Sequence, residues 1–257
     1  MATAVKSKDS KRFADPADNF RLTARNTSGY SCDMESSPLF PHFDTISRQL
    51  CGIRHQTPLN DGRKPAAVAM VLSGAADDLQ MLLIERSHDE RDPWSGNLAL
   101  PGGRIERGES AHQAAVRETM EEIGLDLTTG QHLGRLADIT GAHLPVRISC
   151  FVYGFANKPA VQLNHEASDA FWVSLSELYD PQRRVRTNVH FRESVHHVPA
   201  IRLSREDKPV LWGITYRLAL QFLEATGHPA SVDFPLPVHT DSAMNSATIL
   251  HQMEDAP

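Results

Sequence analysis

Gly103 to Leu125 reads GRIERGESAHQAAVRETMEEIGL, a glycine-containing loop that runs into an amphipathic segment. Ser110 and Gln113 have the spacing of a capping box, so a helix is expected to begin just after Ser110. Gly124 suits the left-handed position beyond the last turn. At 100° per residue, Glu118, Glu121 and Glu122 fall within one arc of roughly 100°. Val116, Thr119, Met120 and Ile123 occupy the opposite side, which is the face expected to be buried. Three carboxylates on one helical face repel one another unless a positive charge sits among them. Hard oxygen donors so arranged suit Mg2+ or Mn2+ better than zinc. The bland alternative is a solvated acidic face, which is the ordinary reading of an isolated Glu-Glu pair.

The spacing goes further. Gly103, Glu109, Arg117, Glu118, Glu121, Glu122 and Gly124 satisfy the whole pattern G-x5-E-x7-R-E-U-x-E-E-x-G-U, where U is apolar and Thr119 is the one departure. Seven fixed letters at roughly 7% each match by chance about once in 10^8 starting points. Over this stretch the chain resembles the Nudix hydrolases. The resemblance implies an α/β chain, a Nudix-type α/β/α sandwich with a mixed sheet, forming a single domain plus terminal extensions. It also implies cleavage of a pyrophosphate bond in a nucleoside diphosphate linked to another group, with Mg2+ or Mn2+ as cofactor.

Divalent ions assist such a cleavage by neutralising phosphate oxygens and acidifying bound water. Glu118 and Glu122 are i,i+4 neighbours able to share one ion, and Glu121 can take a second or reach the first through water. By resemblance, Glu118, Glu121 and Glu122 are the metal ligands, joined by the backbone carbonyl of Gly103. Glu109 sits just outside the helix and can fold back to Arg117, a clamp of loop to helix that the resemblance also suggests. Small residues Ala111, Ala114 and Ala115 on the carboxylate side would let the loop pack closely. For the general base, family members often use a glutamate from a later loop, which points to Glu166. Asp169 is a second candidate, and direct activation of water by a motif glutamate is a third route.

The rest of the chain sets bounds. Its 257 residues, 40% hydrophobic and 23% charged, describe an ordinary globular protein. A net charge of -6 gives no general attraction to nucleic acid or anionic membranes. No apolar run has membrane-spanning length. The resemblance implies a small-molecule nucleotide as partner, the charge and hydropathy give no reason to expect nucleic acid or a membrane, and a homodimer is left open. Cys32, Cys51 and Cys150 show neither CxxC nor His-Cys spacing and read as reduced thiols. A cytoplasmic location is expected, with mitochondrial or peroxisomal placement left open. The histidines His143, His165, His190, His196 and His197 fit no zinc spacing and receive no role.

Residues 1–38 are polar and expected to be disordered, and 39–63 to be an accessory helix over Phe43 to Ile53 plus a linker. The Nudix domain is expected over 64–227 and a tail over 228–257. Pro65 to Leu72 and Leu79 to Ile84 read as paired strands, followed by short strands at Asn97 to Leu100, Leu133 to Ile139, Val146 to Phe155 and Ala170 to Val173. Val185 to Phe191 and Val195 to Leu203 read as a hairpin, and Lys208 to Gly227 as a terminal helix. Two stretches bear on substrate choice. Leu82 to Ser87 with Gly96 to Gly103, and Leu211-Trp212-Gly213-Ile214-Thr215-Tyr216-Arg217, are similar to segments of the coenzyme A pyrophosphatase branch, although Asp92 and Trp94 stand where basic and histidine positions are expected. Arg86 and Arg91 are candidate phosphate contacts and Trp94 a candidate base-stacking residue. Coenzyme A or its esters lead as substrate, with ADP-ribose, dinucleotides or nucleoside triphosphates as alternatives. The alternative of another class is a non-catalytic nucleotide-binding module.

Overall fold

The computed structural model describes residues 41–55, 62–75, 78–89, 92, 94–141, 145–191 and 194–228. The expectations for residues 1–38, for Arg91 and for most of 228–257 lie outside them. Among the described residues four helices and eleven strands are formed: α1 (Pro41–Cys51), β1 (Lys64–Ser73), β2 (Gln80–Arg86), β3 (Leu98–Ala99), β4 (Gly102–Arg104), α2 (Ala111–Ile123), β5 (Gln131–Arg135), β6 (Ile139–Thr140), β7 (Val146–Phe155), β8 (Ala167–Ser174), α3 (Leu175–Tyr179), β9 (Arg184–Phe191), β10 (Ser194–Ile201), β11 (Leu211–Trp212) and α4 (Gly213–Ala225).

The main sheet is mixed. β1 and β7 pair in parallel from Lys64 opposite Val146 to Ser73 opposite Phe155, and the other pairings are antiparallel. The period of two in its strands creates two buried faces. Ala67, Ala69 and Val71 of β1, Leu82 and Ile84 of β2, and Phe151, Tyr153 and Phe155 of β7 face one core with Ala114, Ala115 and Ile123 of α2. Their neighbours Met70, Leu72, Met81, Leu83, Cys150 and Val152 face the other core. There they meet Phe43, Ile46 and Leu50 of α1 and Leu218, Phe222 and Leu223 of α4. Helices thus cover both faces of a mixed sheet, an α/β/α sandwich. β9, β10 and β11 form a separate antiparallel sheet beside α4.

The structure corrects four local expectations. In α2, Thr119 and Ile123 are buried as expected, but Met120 is 44% exposed and the carboxylate-bearing Glu122 is buried at 3% exposure. The buried positions are Ala114, Ala115, Thr119, Glu122 and Ile123, and Ala114, Ala115 and Ile123 share a core with Ala67, Ala69 and Val71 of β1. Thr119 Oγ1 makes its burial tolerable by donating to the Ala115 carbonyl at 2.7 Å. The terminal helix begins at Gly213 rather than Lys208, since Leu211 and Trp212 pair with Ile201 and Ala200 and Gly213 turns the chain at φ +69. The stretch read as one strand over Leu133 to Ile139 is two, β5 and β6, both bonded to β7. Cys51 is disulfide-bonded, contrary to the reduced-thiol expectation, while Cys150 is a buried free thiol. Spacing along a chain carries no information on which thiols the fold brings within bonding reach.

Candidate active site

α2 begins and ends as its sequence dictates. Ser110 accepts from the Gln113 backbone N–H while Gln113 accepts from the Ser110 backbone N–H, a reciprocal cap contributing about 1 kcal/mol. Gly124 closes the helix at φ +65. Beyond it the chain folds back. The Gln162 and Asn164 backbone N–H groups donate to the Ile123 and Glu122 carbonyls at 2.8 and 2.9 Å, and Asn164 Nδ2 donates to the Glu121 carbonyl at 2.9 Å. The last turn of α2 is therefore held by the turn that carries Glu166.

The three motif carboxylates have unlike surroundings. Glu122 lies under the end of β4, where its Oε2 accepts from the Gly102 N–H at 3.1 Å. Its buried Oε1 accepts no hydrogen bond, and Arg86 Nη1 stands 3.7 Å away, an ion pair without a bond. Burial pushes the Glu122 carboxyl up to about 7. Glu118 is pressed against Gly103, where a Cβ would fall inside its carboxylate. Burial raises its pKa too, opposed by the hydrogen bond from Arg117. Glu121 is 56% exposed and turned to Arg117. The nearby charge of Glu166 adds to the upward push on both Glu118 and Glu122.

Arg117 organises the loop. Its Nε and Nη2 donate to the two oxygens of Glu109 at 2.9 and 3.0 Å, a bidentate pair. Nη1 lies 3.0 Å from both Glu118 and Glu121, and Nη2 also donates to the Arg104 carbonyl at 3.1 Å. The Glu109 hydrogen bond raises the Arg117 pKa, and the same bond lowers that of Glu109. The structure thus brings Glu109 and Arg117 together, and the guanidinium fills the gap between two of the proposed metal ligands.

Two hollows meet at Arg86. One, of about 580 Å3, is lined by Arg86, Asp92, Trp94, Gly103, Trp212 and Leu218 among others. The other is an open cleft of about 710 Å3 that includes Arg86, Asp92, His165 and Glu166. Trp212 Nε1 donates to Asn97 Oδ1 at 2.9 Å and Thr215 Oγ1 to the Leu98 carbonyl at 3.1 Å, so the two stretches singled out for substrate choice form adjoining walls. The Trp94 and Trp212 rings lie 6.3 Å apart at 44°. Asp169 lies elsewhere in a different role. Lys208 Nζ sits 2.7 Å from it and 2.8 Å from Glu85. Burial works against the Asp169 carboxylate, but the Lys208 hydrogen bond prevails and lowers its pKa, which makes it a poor base.

Spacing missed three contributors. Gly102 stands at φ +148, where a Cβ would run into the Ala67 carbonyl and Val68, and its N–H is what holds Glu122. The Pro-Gly-Gly run was a signal for it. Asp92 binds Arg86, and Asn164 ties the helix end, and neither has a local pattern.

The residues present fit a hard divalent cation in donor chemistry. A buried carboxylate oxygen without a hydrogen bond is a group awaiting a cation, and Glu118 abuts backbone that lacks a side chain. They are not preassembled, for among the described residues no group of three or more His, Cys, Asp or Glu stands in metal-holding geometry.

Comparison with known proteins agrees with the motif. The NUDIX domain family matches residues 63–194. An uncharacterized protein of Schizosaccharomyces pombe is 36% identical over 118 residues, covering 42% of this chain and 36% of its own length. A probable nudix hydrolase of the same yeast is 24% identical over 180 residues, 69% of this chain and 61% of its own. An ADP-ribose pyrophosphatase of Methanocaldococcus jannaschii is 48% identical over 48 residues, 19% of this chain and 27% of its own. The chain spans less than two thirds of each of these relatives. With the matched region covering half of the chain and enclosing the complete loop and helix, the protein belongs to the Nudix family.

Proposed function

We propose that this protein is a divalent-metal-dependent Nudix pyrophosphohydrolase that cleaves a nucleoside diphosphate linked to another group. The observation that carries this is Glu122: a buried carboxylate with one oxygen left without a hydrogen bond, held by the Gly102 N–H and 3.7 Å from Arg86 Nη1, two residues that line the hollow of about 580 Å3. A protein gains nothing in stability from such a group. A bound Mg2+ or Mn2+ would neutralise phosphate oxygens and acidify water, with Glu118, Glu122, Glu121 and the Gly103 carbonyl as its holders. Arg86, exposed to both hollows, binds and orients a phosphate. Arg117 and Glu109 hold the loop so that Gly103 stays against Glu118. Glu166, in the cleft shared with Arg86, is the proposed base that accepts the proton of the attacking water.

For the linked group, coenzyme A or its esters lead. What supports them is the contact between Asn97-Leu98 and Trp212-Thr215, the two stretches similar to the coenzyme A pyrophosphatase branch, and the apolar wall they share with Val68, Ile148 and Leu218. Arg91, proposed from sequence beside Arg86, lies outside the described residues. The short match to an ADP-ribose pyrophosphatase keeps that substrate in the test. One observation favours a non-catalytic nucleotide-binding module: Arg117 already neutralises Glu118 and Glu121. Coenzyme A, an acyl ester of it, ADP-ribose, NADH, a diadenosine polyphosphate and nucleoside triphosphates should be incubated with the protein, with and without Mg2+ or Mn2+. Cleavage of a coenzyme A species into two phosphate esters, only with metal, is expected. Binding without cleavage under any metal would establish the module instead.

A further inference from the structure

Arg86 sits between two carboxylates. Asp92 Oδ2 accepts from its Nε at 2.8 Å, whereas Glu122 Oε1 faces its Nη1 at 3.7 Å. Among the described residues these are the carboxylates within ion-pair reach of Arg86. Asp92 is built in rather than adrift. Its Oδ1 accepts from the Trp94 N–H at 3.0 Å, its own N–H donates to the Asp89 carbonyl, and its carbonyl accepts from the Ser95 N–H, both at 3.0 Å. The backbone at the base of the loop is closed as well, the Arg86 N–H donating to the Asn97 carbonyl at 3.0 Å and the Gly96 N–H to the Arg86 carbonyl at 3.2 Å.

A guanidinium bonded along its Nε edge by one carboxylate has its direction set by that carboxylate, because its donors form a rigid plane. Asp92 therefore holds Arg86 just short of Glu122. Nη1 is near enough to offset the buried charge and too far to satisfy its lone pair. We propose that Asp92 is a positioning residue that sets the cation affinity of Glu122, by retaining Arg86 as a loosely engaged, exchangeable counter-ion; this rests on Glu122 being a metal ligand. Without Asp92 the guanidinium turns its full charge on Glu122 and competes with an entering cation. Without Arg86 nothing competes, and Asp92 has no effect left to exert. Through Trp94 the same carboxylate ties the Arg86 side of the site to the wall of the neighbouring cavity.

The test is equilibrium Mn2+ binding to the intact, substrate-free protein, followed by calorimetry and by the paramagnetic signal of free Mn2+, for wild type, Asp92→Asn, Arg86→Gln and the double variant. Thermal unfolding of the metal-stripped proteins monitors folding. The expected result is opposite signs: D92N weakens Mn2+ binding by about tenfold and R86Q strengthens it by about tenfold, the scale of one partly screened unit charge at contact distance. In the R86Q background, D92N changes binding by less than about twofold, since its effect passes through Arg86. A merely structural Asp92 would weaken binding equally in both backgrounds, and that outcome overturns the proposal, as does equal binding by all four proteins. Failure of wild type to bind Mn2+ would instead overturn the metal-site reading on which the proposal stands, and the proposal with it.

Discussion

The loop and helix from Gly102 to Gly124 and the loop from Arg86 to Asn97 lie side by side and are stabilised in different ways. In the first, the key partners are near in sequence: Arg117 with Glu109, Glu118, Glu121 and Arg104, and Ser110 with Gln113. In the second, beyond the local tie of Asp92 to Arg86, they are remote. Arg86 meets Glu122, the Ser87 N–H donates to the Glu166 carbonyl at 2.8 Å, and Asn97 and Leu98 meet Trp212 and Thr215. The caps and the shared arc of α2 depend on residues a turn apart and are specified by spacing, whereas the placing of Glu122 against Gly102 is not. A wall assembled from four distant segments changes whenever any one of them changes. On the proposed function, the first region holds the cation and the second adds Arg86 and the wall that would choose the substrate.

The largest effect that would sharpen this contrast is expected from Gly102→Ala. At φ +148 a Cβ would overlap the β1 backbone, and the cost should be on the order of 3 kcal/mol or more. Urea unfolding would show it, and a midpoint like that of wild type would break the account of the Glu122 cradle. Next is Arg117→Ala, which leaves Glu109, Glu118 and Glu121 without their shared cation. Because these groups are partly solvated, the expected loss is roughly 2 kcal/mol rather than the larger cost of a dry pair. Arg117→Lys should recover less than half of it, lacking the bidentate fork.

In the second region, Ile214→Trp would fill the cavity from the α4 side. A KM increase of about tenfold for the substrate, with kcat changed less than threefold and the unfolding midpoint retained, is expected if the linked group binds there. The last effect is centred on β5, outside both regions. His132 is held down to about 4, first by burial and then by the charge of His112, whose own pKa burial also lowers. A histidine depressed in the folded state contributes stability that is present above its unfolded value of 6.5 and is lost as pH falls through about 4. Unfolding free energy should fall on the order of 1–3 kcal/mol across that window, and His132→Gln should flatten the dependence.

How far these features could be read in advance follows the same division. The ends of α2 were legible because caps are local, and the two faces of the sheet because alternation is local. That Glu118, Glu121 and Glu122 share one helical arc follows from i,i+3 and i,i+4 spacing. That Glu122 is buried while Glu121 is exposed does not, since both lie on the same arc and the segments packed on it, Gly102 of β4 among them, decide which is covered. Hydrophobicity alone puts Met120 in the core, but it is the small Ala114 and Ala115 that share a core with Ala67 and Ala69 of β1. The start of α4 was misplaced because pairing of Leu211 with Ile201 outweighs helical periodicity. The tie from Asp92 to Arg86 depends on an approach across a turn, which no pattern in the chain announces.

The central claim is that Glu122 is kept buried and incompletely bonded for a cation. Metal-stripped wild type and Glu122→Gln should be melted at pH 8 with and without saturating Mn2+. A carboxyl raised from 4.5 to about 7 contributes stability present below 4.5 and lost as pH rises through about 7, so at pH 8 the ionised form burdens the fold. The neutral amide keeps the Gly102 hydrogen bond without that burden. The variant should therefore melt higher than wild type without metal, by a few degrees for roughly 1–3 kcal/mol, and gain far less from Mn2+, whereas wild type at about 100 times its Kd gains roughly 2.7 kcal/mol. A variant that melts lower without metal and gains as much from Mn2+ as wild type would contradict the claim.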